Sequence, residues 1–387
     1  MLIVLILVCL SLLIWVILLT LWGNFWLCNQ RLDSHQQLES YPTVCGIIPA
    51  RNEAEVIESS LQSLLLQNYP SCLRIVLIDD QSQDNTGNLA QNLAKTLNQE
   101  ERLTVISGQP LPIGWTGKLW AMEQGINYAM INYPEVEYFF FTDADIQHGV
   151  NTLTELVNQA KSRDLALVSL MVKLRCESFW EKLLIPAFVF FFQQLYPFPW
   201  VNQPKRSMAA AAGGCILLKR ETLTEIGGIG VLKDALIDDC TLAQKVKSRQ
   251  YPIWLGLTET SLSLRPYDSL QTIWDMVART AYTQLNYSGW LLVGTVVGMI
   301  IVYLLPPIGL ILGIVAKDKV LIIFSVITWL LMAVAYLPTV KLYQGSFWRA
   351  FSLPVIAFLY TLMTIDSAWR HWRGKGGAWK GRIYPQN

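Results

Sequence analysis

Two aspartates separated by one alanine, Asp143-Ala144-Asp145, follow directly on the apolar run 138–142. Carboxylates so spaced offer hard oxygen ligands to Mg2+ or Mn2+, ions that keep some water and share substrate phosphates. A cation held there would offset the charge of a departing diphosphate. Alone the tripeptide is weak evidence, because aspartate is common in turns. It does not stand alone. Pro49-Ala50-Arg51-Asn52-Glu53 follows the apolar run 44–48, and Asp79-Asp80 follows the run 74–78. Asp79-Asp80, with Ser82 and Asp84 behind it, reads either as a turn and helix cap or as hydrogen-bonding groups for a nucleoside base or ribose. No G-x-G-x-x-G follows the first run and no G-x-x-x-x-G-K-[ST] occurs, which excludes dinucleotide-fingerprint and P-loop chemistry.

Three further features carry chemistry. Small residues at 209–214, ending in Gly213-Gly214, let backbone and a bulky ligand approach closely. Asp238-Asp239 precedes a helical pattern through Leu242 and Val246, as an N-cap or as a general base for an acceptor hydroxyl. Arg279 lies just before a long apolar segment, placed to grip a diphosphate or to anchor a helix at lipid headgroups.

Positioning these groups requires alternating strands and helices. Runs 44–48, 74–78, 103–106 and 138–142 suit buried strands. After the first, Asn52 with Glu55 predicts a capped helix start, and Ile57, Leu61, Leu64 and Leu65 mark one buried face. Leu89, Leu93 and Leu97 mark a second helix. A third from Lys118 turns Leu119, Met122, Ile126 and Met130 inward. Such alternation predicts an α/β domain with a mostly parallel sheet, whose ligands bind beyond the carboxyl ends of the strands. All three polar clusters therefore fall on one rim.

The remainder belongs to a membrane. Hydrophobic residues make up 52% of 387 and charged residues only 15%. Residues 1–26, 290–316, 320–340 and 350–365 carry no charge. The first three are long enough to cross a bilayer core of ~30 Å; the fourth is short and contains Pro354. Nothing basic precedes the first run, so it reads as a retained anchor rather than a signal peptide. The Phe-rich stretch 183–201, broken by Pro186, Pro197 and Pro199, reads as interfacial or as buried core. The basic tail (Arg370, His371, Arg373, Lys375, Lys380, Arg382) should face the cytoplasm. Three full spans after a cytoplasmic domain would put it outside, so one segment is expected to be re-entrant or interfacial. Seven scattered cysteines fit a reduced compartment, and a net charge of +1 gives no pull toward nucleic acid.

On these residues the chain resembles a family 2 glycosyltransferase of the GT-A fold. Pro49–Glu53, Asp79-Asp80-Gln81-Ser82-x-Asp84-x-Thr86, Asp143-Ala144-Asp145 and Asp238-Asp239 stand in that family's order, with Gly117-Lys118, Gly213-Gly214 and Gly227-Gly228 at accessory positions. The membrane layout resembles ceramide glucosyltransferases more distantly. Residues 276–285, 366–373 and the ending 379–385 are similar to hopene- (hopanoid-) associated glycosyltransferases, and bacterial carotenoid glycosyltransferases end in similar ways. One departure matters. Related polysaccharide synthases carry Q/R-x-x-R-W before the membrane block, and here Met276-x-x-Arg279-Thr280 keeps only the arginine. The resemblance therefore implies a single transfer onto a lipid rather than chain extension.

It also implies roles. Pro49, Ala50, Arg51, Glu53, Asp79, Asp80, Lys118, Asp143, Ala144 and Arg279 would bind the nucleotide-sugar, UDP- or GDP-linked. Asp143 and Asp145 would hold Mg2+ or Mn2+. Asp239 would be the base of an inverting reaction, with Gly213, Gly214 and Asp238 on the acceptor side. The expected organisation is an anchor (1–26), a GT-A domain (41–287), a transmembrane or re-entrant block (288–368) and a cytoplasmic tail (369–387) of a multi-pass plasma-membrane protein.

Overall fold

The computed structural model describes residues 1–32 and 38–374, together with the backbone of 378–379 and 382–383. The side chains of Lys375, Lys380 and Arg382, and the ending 379–385, lie outside the described side chains. Helix α1 (Leu2–Thr20) is apolar around its whole circumference and leads into the domain. Strand β1 (Val44–Ala50) is buried along its full length. It is followed by α2 (Ile57–Leu65), β2 (Leu73–Asp79), α3 (Thr86–Thr96), β3 (Leu103–Ser107), α4 (Gly117–Asn132) and β4 (Tyr138–Phe141). All four expected strands are present. The start of α2 differs from the reading of Asn52 and Glu55 as a cap. The helix begins at Ile57 without a side-chain cap, and Asn52 adopts a left-handed backbone (φ 51°). Its amide oxygen instead accepts from the Gln83 N–H while its own N–H donates to Ser82. The asparagine ties two rim loops together.

Beyond β4 come β5 (Ile146–Gln147), α5 (Thr152–Ser162), β6 (Leu167–Lys173), α6 (Phe179–Leu195), α7 (Phe198–Val201) and β7 (Ile216–Lys219). Then follow α8 (Arg220–Glu225), α9 (Asp238–Ser248) and β8 (Ile253–Ser263). The strands form one sheet in the order β3-β2-β1-β4-β7-β6-β8-β5. The pairs β1–β2, β2–β3, β1–β4 and β6–β8 are parallel, while β7 runs antiparallel between β4 and β6. This is a GT-A arrangement with a mostly parallel sheet.

The membrane-type block is α10 (Leu270–Gln284), α11 (Gly289–Met299), α12 (Leu305–Ala316), α13 (Lys319–Leu342) and α14 (Leu353–Trp372). Among the described residues, four stretches are long and apolar enough to cross a membrane: Leu2–Thr20, Gly289–Ala316, Lys319–Leu342 and Phe347–Trp372. Pro306 and Pro307 interrupt the second without ending it. They fall in the first turn of α12, where a missing N–H costs little, after a π-helical turn at Ile300–Leu304. Pro354 likewise starts α14 rather than breaking it.

The fourth stretch follows a segment that runs back along α13. The end of α13 touches the α/β domain and the segment leading into it, Thr339 bonding Cys28 and Tyr343 accepting from the Leu174 N–H. The chain then runs back along α13, the Trp329 indole donating to the Phe351 carbonyl. Helix α14 carries it back to the domain side, where Ser367 donates to the Ala278 carbonyl and His371 stacks on Tyr287. The stretch 183–201 is largely core. Leu184, Ile185, Ala187, Val189 and Phe190 are fully buried, and the Leu184 carbonyl accepts from Tyr360 of α14. The interfacial reading fails for that face of α6, because α14 covers it.

Candidate active site

The rim clusters meet as the sheet topology requires. Strands β1, β2 and β4 are adjacent and parallel, so their carboxyl ends deliver residues 49–53, 79–80 and 143–145 side by side. Antiparallel β7 brings Gly213 and Gly214 to the same edge, because its amino end points that way. Helix α9 starts there with Asp238 and Asp239. Of these, Asp143, Ala144, Asp145, Gly213, Gly214, Asp238 and Asp239 line a cavity of about 730 Å3 with Pro49, Glu53, Lys118, Arg265 and Arg279, whereas Asp79 and Asp80 stand outside its lining.

Lys118, in the first turn of α4, is the central cation. Its ammonium lies 2.8 Å from Asp143 and 3.5 Å from Asp238. Burial alone would lower its pKa, but Asp143 and then Asp238 reverse this and keep it charged well above the ordinary range. Gly213 is what lets them meet. A Cβ there would come within 3.1 Å of the Lys118 Nζ and 3.4 Å of an Asp239 oxygen.

Asp239 is held by two backbone donors, the Gly213 N–H and the Cys240 N–H, both at 2.8 Å. Burial raises its pKa to about 6, and the neighbouring Asp238 charge adds to this; Lys118 and the two N–H donors pull the other way. A carboxylate tuned toward neutrality at a cavity wall has the properties of a general base.

The remaining residues divide between structure and site. Arg51 donates to the Asp80 carbonyl at 2.5 Å and lies 3.8 Å from its carboxylate, and Asp80 itself is 1% exposed. This pair braces the β1 and β2 ends. Asp79 accepts from the Ser82 N–H and is partly open. Ala50 and Ala144 are buried, and Ala144 lines the cavity. Arg279, on α10, stands on the far cavity wall with Met276 and Asp275. Behind Asp143, Thr142 donates to the Gly214 carbonyl and bonds His148, whose other ring nitrogen meets Ser261. Burial depresses the His148 pKa to about 3, so the ring is a neutral spacer.

Asp143 and Asp145 fit a hard divalent cation. No cluster of three or more acidic or histidine ligands occurs among the described residues. Two carboxylates suffice for an ion that completes its shell with diphosphate oxygens and water.

Sequence reading missed Arg265. Its Nε lies 2.8 Å from Asp145 and a terminal nitrogen 2.9 Å from Glu53. It stands two residues past the end of β8, on the same rim. Recognising 253–263 as a strand would have exposed it.

Residues 45–227 match the family model described as Glycosyl transferase family 2. The structure is similar to the mannosyltransferase PcManGT from Pyrobaculum calidifontis, solved in complex with GDP-Man and Mn2+. Identity is 18%, coverage is 95% of this chain and 98% of that one, and the TM-score is 0.56. More distant matches are S. aureus TarS (17% identity, 62% of this chain and 39% of that one, TM-score 0.40) and a mycobacterial protein (17%, 63% and 74%, TM-score 0.42). No curated protein matches the sequence. The family 2 match identifies residues 45–227 as a glycosyltransferase domain.

Proposed function

We propose that this glycosyltransferase moves one sugar from a nucleotide-diphospho-sugar onto the hydroxyl of a membrane lipid, a hopanoid by the resemblance of its carboxyl-terminal segments. The observation that carries this reading is the continuity of the cavity. It runs from the rim (Glu53, Lys118, Asp143, Asp145) to Phe188 and Phe192 of α6, Met276 and Arg279 of α10, and Arg370 of α14. Donor chemistry and an apolar wall beside the membrane-type helices share one space.

Bound at Asp143 and Asp145, Mg2+ or Mn2+ would supply Lewis-acid neutralisation of the leaving diphosphate. The chain's own groups do the rest. The loops carrying Ala50, Glu53 and Asp79 receive the nucleoside, while Lys118 and Arg279 add positive charge at the diphosphate. Asp239 accepts the proton of the acceptor hydroxyl. That oxygen forms a bond to the anomeric carbon as the carbon–oxygen bond to the diphosphate breaks on the opposite face, inverting the centre. Asp238 and the paired glycines shape the acceptor side.

Charge favours a hydroxyl over a polyprenyl phosphate. Six carboxylates line the cavity (Glu53, Asp143, Asp145, Asp238, Asp239, Asp275) against four cations (Lys118, Arg265, Arg279, Arg370), a net charge of −2. One divalent cation cancels it, and the donor diphosphate restores it. A second phosphate would enter an already negative space. The tuned Asp239 is also needed for a hydroxyl and superfluous for an ionised phosphate.

The in-and-out path of 343–372 supports an orientation that meets the positive-inside rule. With the domain in the cytoplasm, α1, the α11–α12 stretch and α13 cross, and the basic end of α14 stays on the domain side, as the positive-inside rule requires. In a cysteine-free background, single cysteines at Lys317 and Arg373 should label from opposite faces of sealed cells; labelling from one face refutes this topology. The function is tested by incubating purified protein with UDP- and GDP-sugars, Mn2+ and membrane lipid extract, with mass detection. Expected is a neutral lipid gaining one hexose, lost on chelation. Product only on polyprenyl phosphate, or a polymer, overturns the reading.

A further inference from the structure

Every potential metal-binding carboxylate in this site already has a cation, and Arg265 is the one whose placement no donor-site motif explains. Its guanidinium spans two carboxylates that come from different strands, Asp145 after β4 and Glu53 after β1. Both are nearly buried (8% and 11% exposed side chains), whereas Arg265 is 35% exposed and reaches in from the cavity. Buried carboxylates left unpaired are costly, so this bridge keeps the site formed when nothing is bound. The backbone around Arg265 is fixed on both sides. The Leu264 N–H donates to the Asp145 carbonyl and the Tyr267 N–H to the buried Glu181 carboxylate. Any rearrangement here must therefore come from the side chain.

We propose that Arg265 is a counter-ion lock: without donor it stands in for the divalent cation by joining Asp145 to Glu53, and it turns to the diphosphate when metal and nucleotide arrive together. This rests on the proposed metal site at Asp143 and Asp145. Metal alone must displace the guanidinium from Asp145 and leave it with Glu53 as its one remaining carboxylate partner, so it binds weakly. With a nucleoside diphosphate present, the displaced guanidinium gains phosphate oxygens, which it matches with two parallel donors. Metal and nucleotide then bind with positive, reciprocal coupling.

The test is direct Mn2+ binding to the full chain in detergent, read from the electron paramagnetic resonance signal of free Mn2+, with and without GDP or UDP. In the wild type, nucleotide should tighten Mn2+ binding by about tenfold or more. Arg265→Gln should bind Mn2+ alone more tightly than wild type and lose most of that enhancement. Arg265→Lys, which can reach only one of the two carboxylates, should fall between them and serves if the glutamine variant does not fold. Unchanged or weaker Mn2+ binding in these variants overturns the lock alone. Absence of Mn2+ binding in the wild type with either nucleotide overturns the metal site, and the lock with it.

Discussion

Replacing Asp239 with asparagine removes the proposed base while keeping the side chain's size. The carboxylate touches two backbone donors and shares the cavity with Lys118 and Asp238, and burial sets its pKa at about 6. As the base it must be ionised in the free enzyme. At pH 5 only about one Asp239 in eleven is ionised, so kcat/KM should fall to about a tenth of its plateau, with the acid limb centred near 6. A carboxylate at the ordinary 3.8 would hold that plateau to pH 5. Asp238→Asn removes the like charge, so its limb should move to lower pH. Asp239→Asn should lose ~10^2–10^4-fold in kcat while retaining donor affinity. Stability gives an independent check. The folded pKa is above the unfolded one, so protonation favours the fold. Wild type should gain stability relative to Asp239→Asn as pH falls through 6, and lose that gain as pH rises. The assay is initial-rate transfer of labelled sugar from pH 4.5 to 8.5, with donor binding by calorimetry. Near-normal turnover by Asp239→Asn, or an acid limb near 4 in the wild type, refutes the reasoning.

Lys118→Met leaves Asp143 and Asp238 without their shared cation. We expect a loss of about 3 kcal/mol in stability at neutral pH, with much weaker donor binding, read by unfolding in detergent and calorimetry. Gly213→Val puts atoms within 3.1 Å of Lys118 and 3.4 Å of Asp239; kcat should drop by about tenfold or more while the melting temperature stays close to wild type. Phe192→Glu places a charge on the apolar cavity wall. It should raise KM for the lipid and leave KM for the nucleotide-sugar unchanged, as steady-state kinetics with each substrate varied would show.

The half of the site on parallel strands was legible because each strand announces itself. Runs such as 75–78 and 138–141 are apolar throughout, as sheets buried on both faces require, and a carboxylate follows each within two residues. Strand direction then fixes which ends share a rim. The other half was harder for a physical reason. Strands β6, β7 and β8 enter from both directions, so an end in the sequence does not say which edge it reaches. Asn52 shows the same limit locally: spacing from Glu55 permits a cap, yet the side chain found better partners in a loop 31 residues away.

Arg265 is the sharper case. Its partners lie 120 and 212 positions earlier in the chain, and no periodicity or composition reports such a pair. Charge counting can still say that a pair is owed. A cavity lined by six carboxylates gathered from four chain segments cannot form without cations nearby. Lys118 alone reaches only two of them in this structure. A second cation was therefore required by the same carboxylates that reveal the donor site, and the fold only had to say which one.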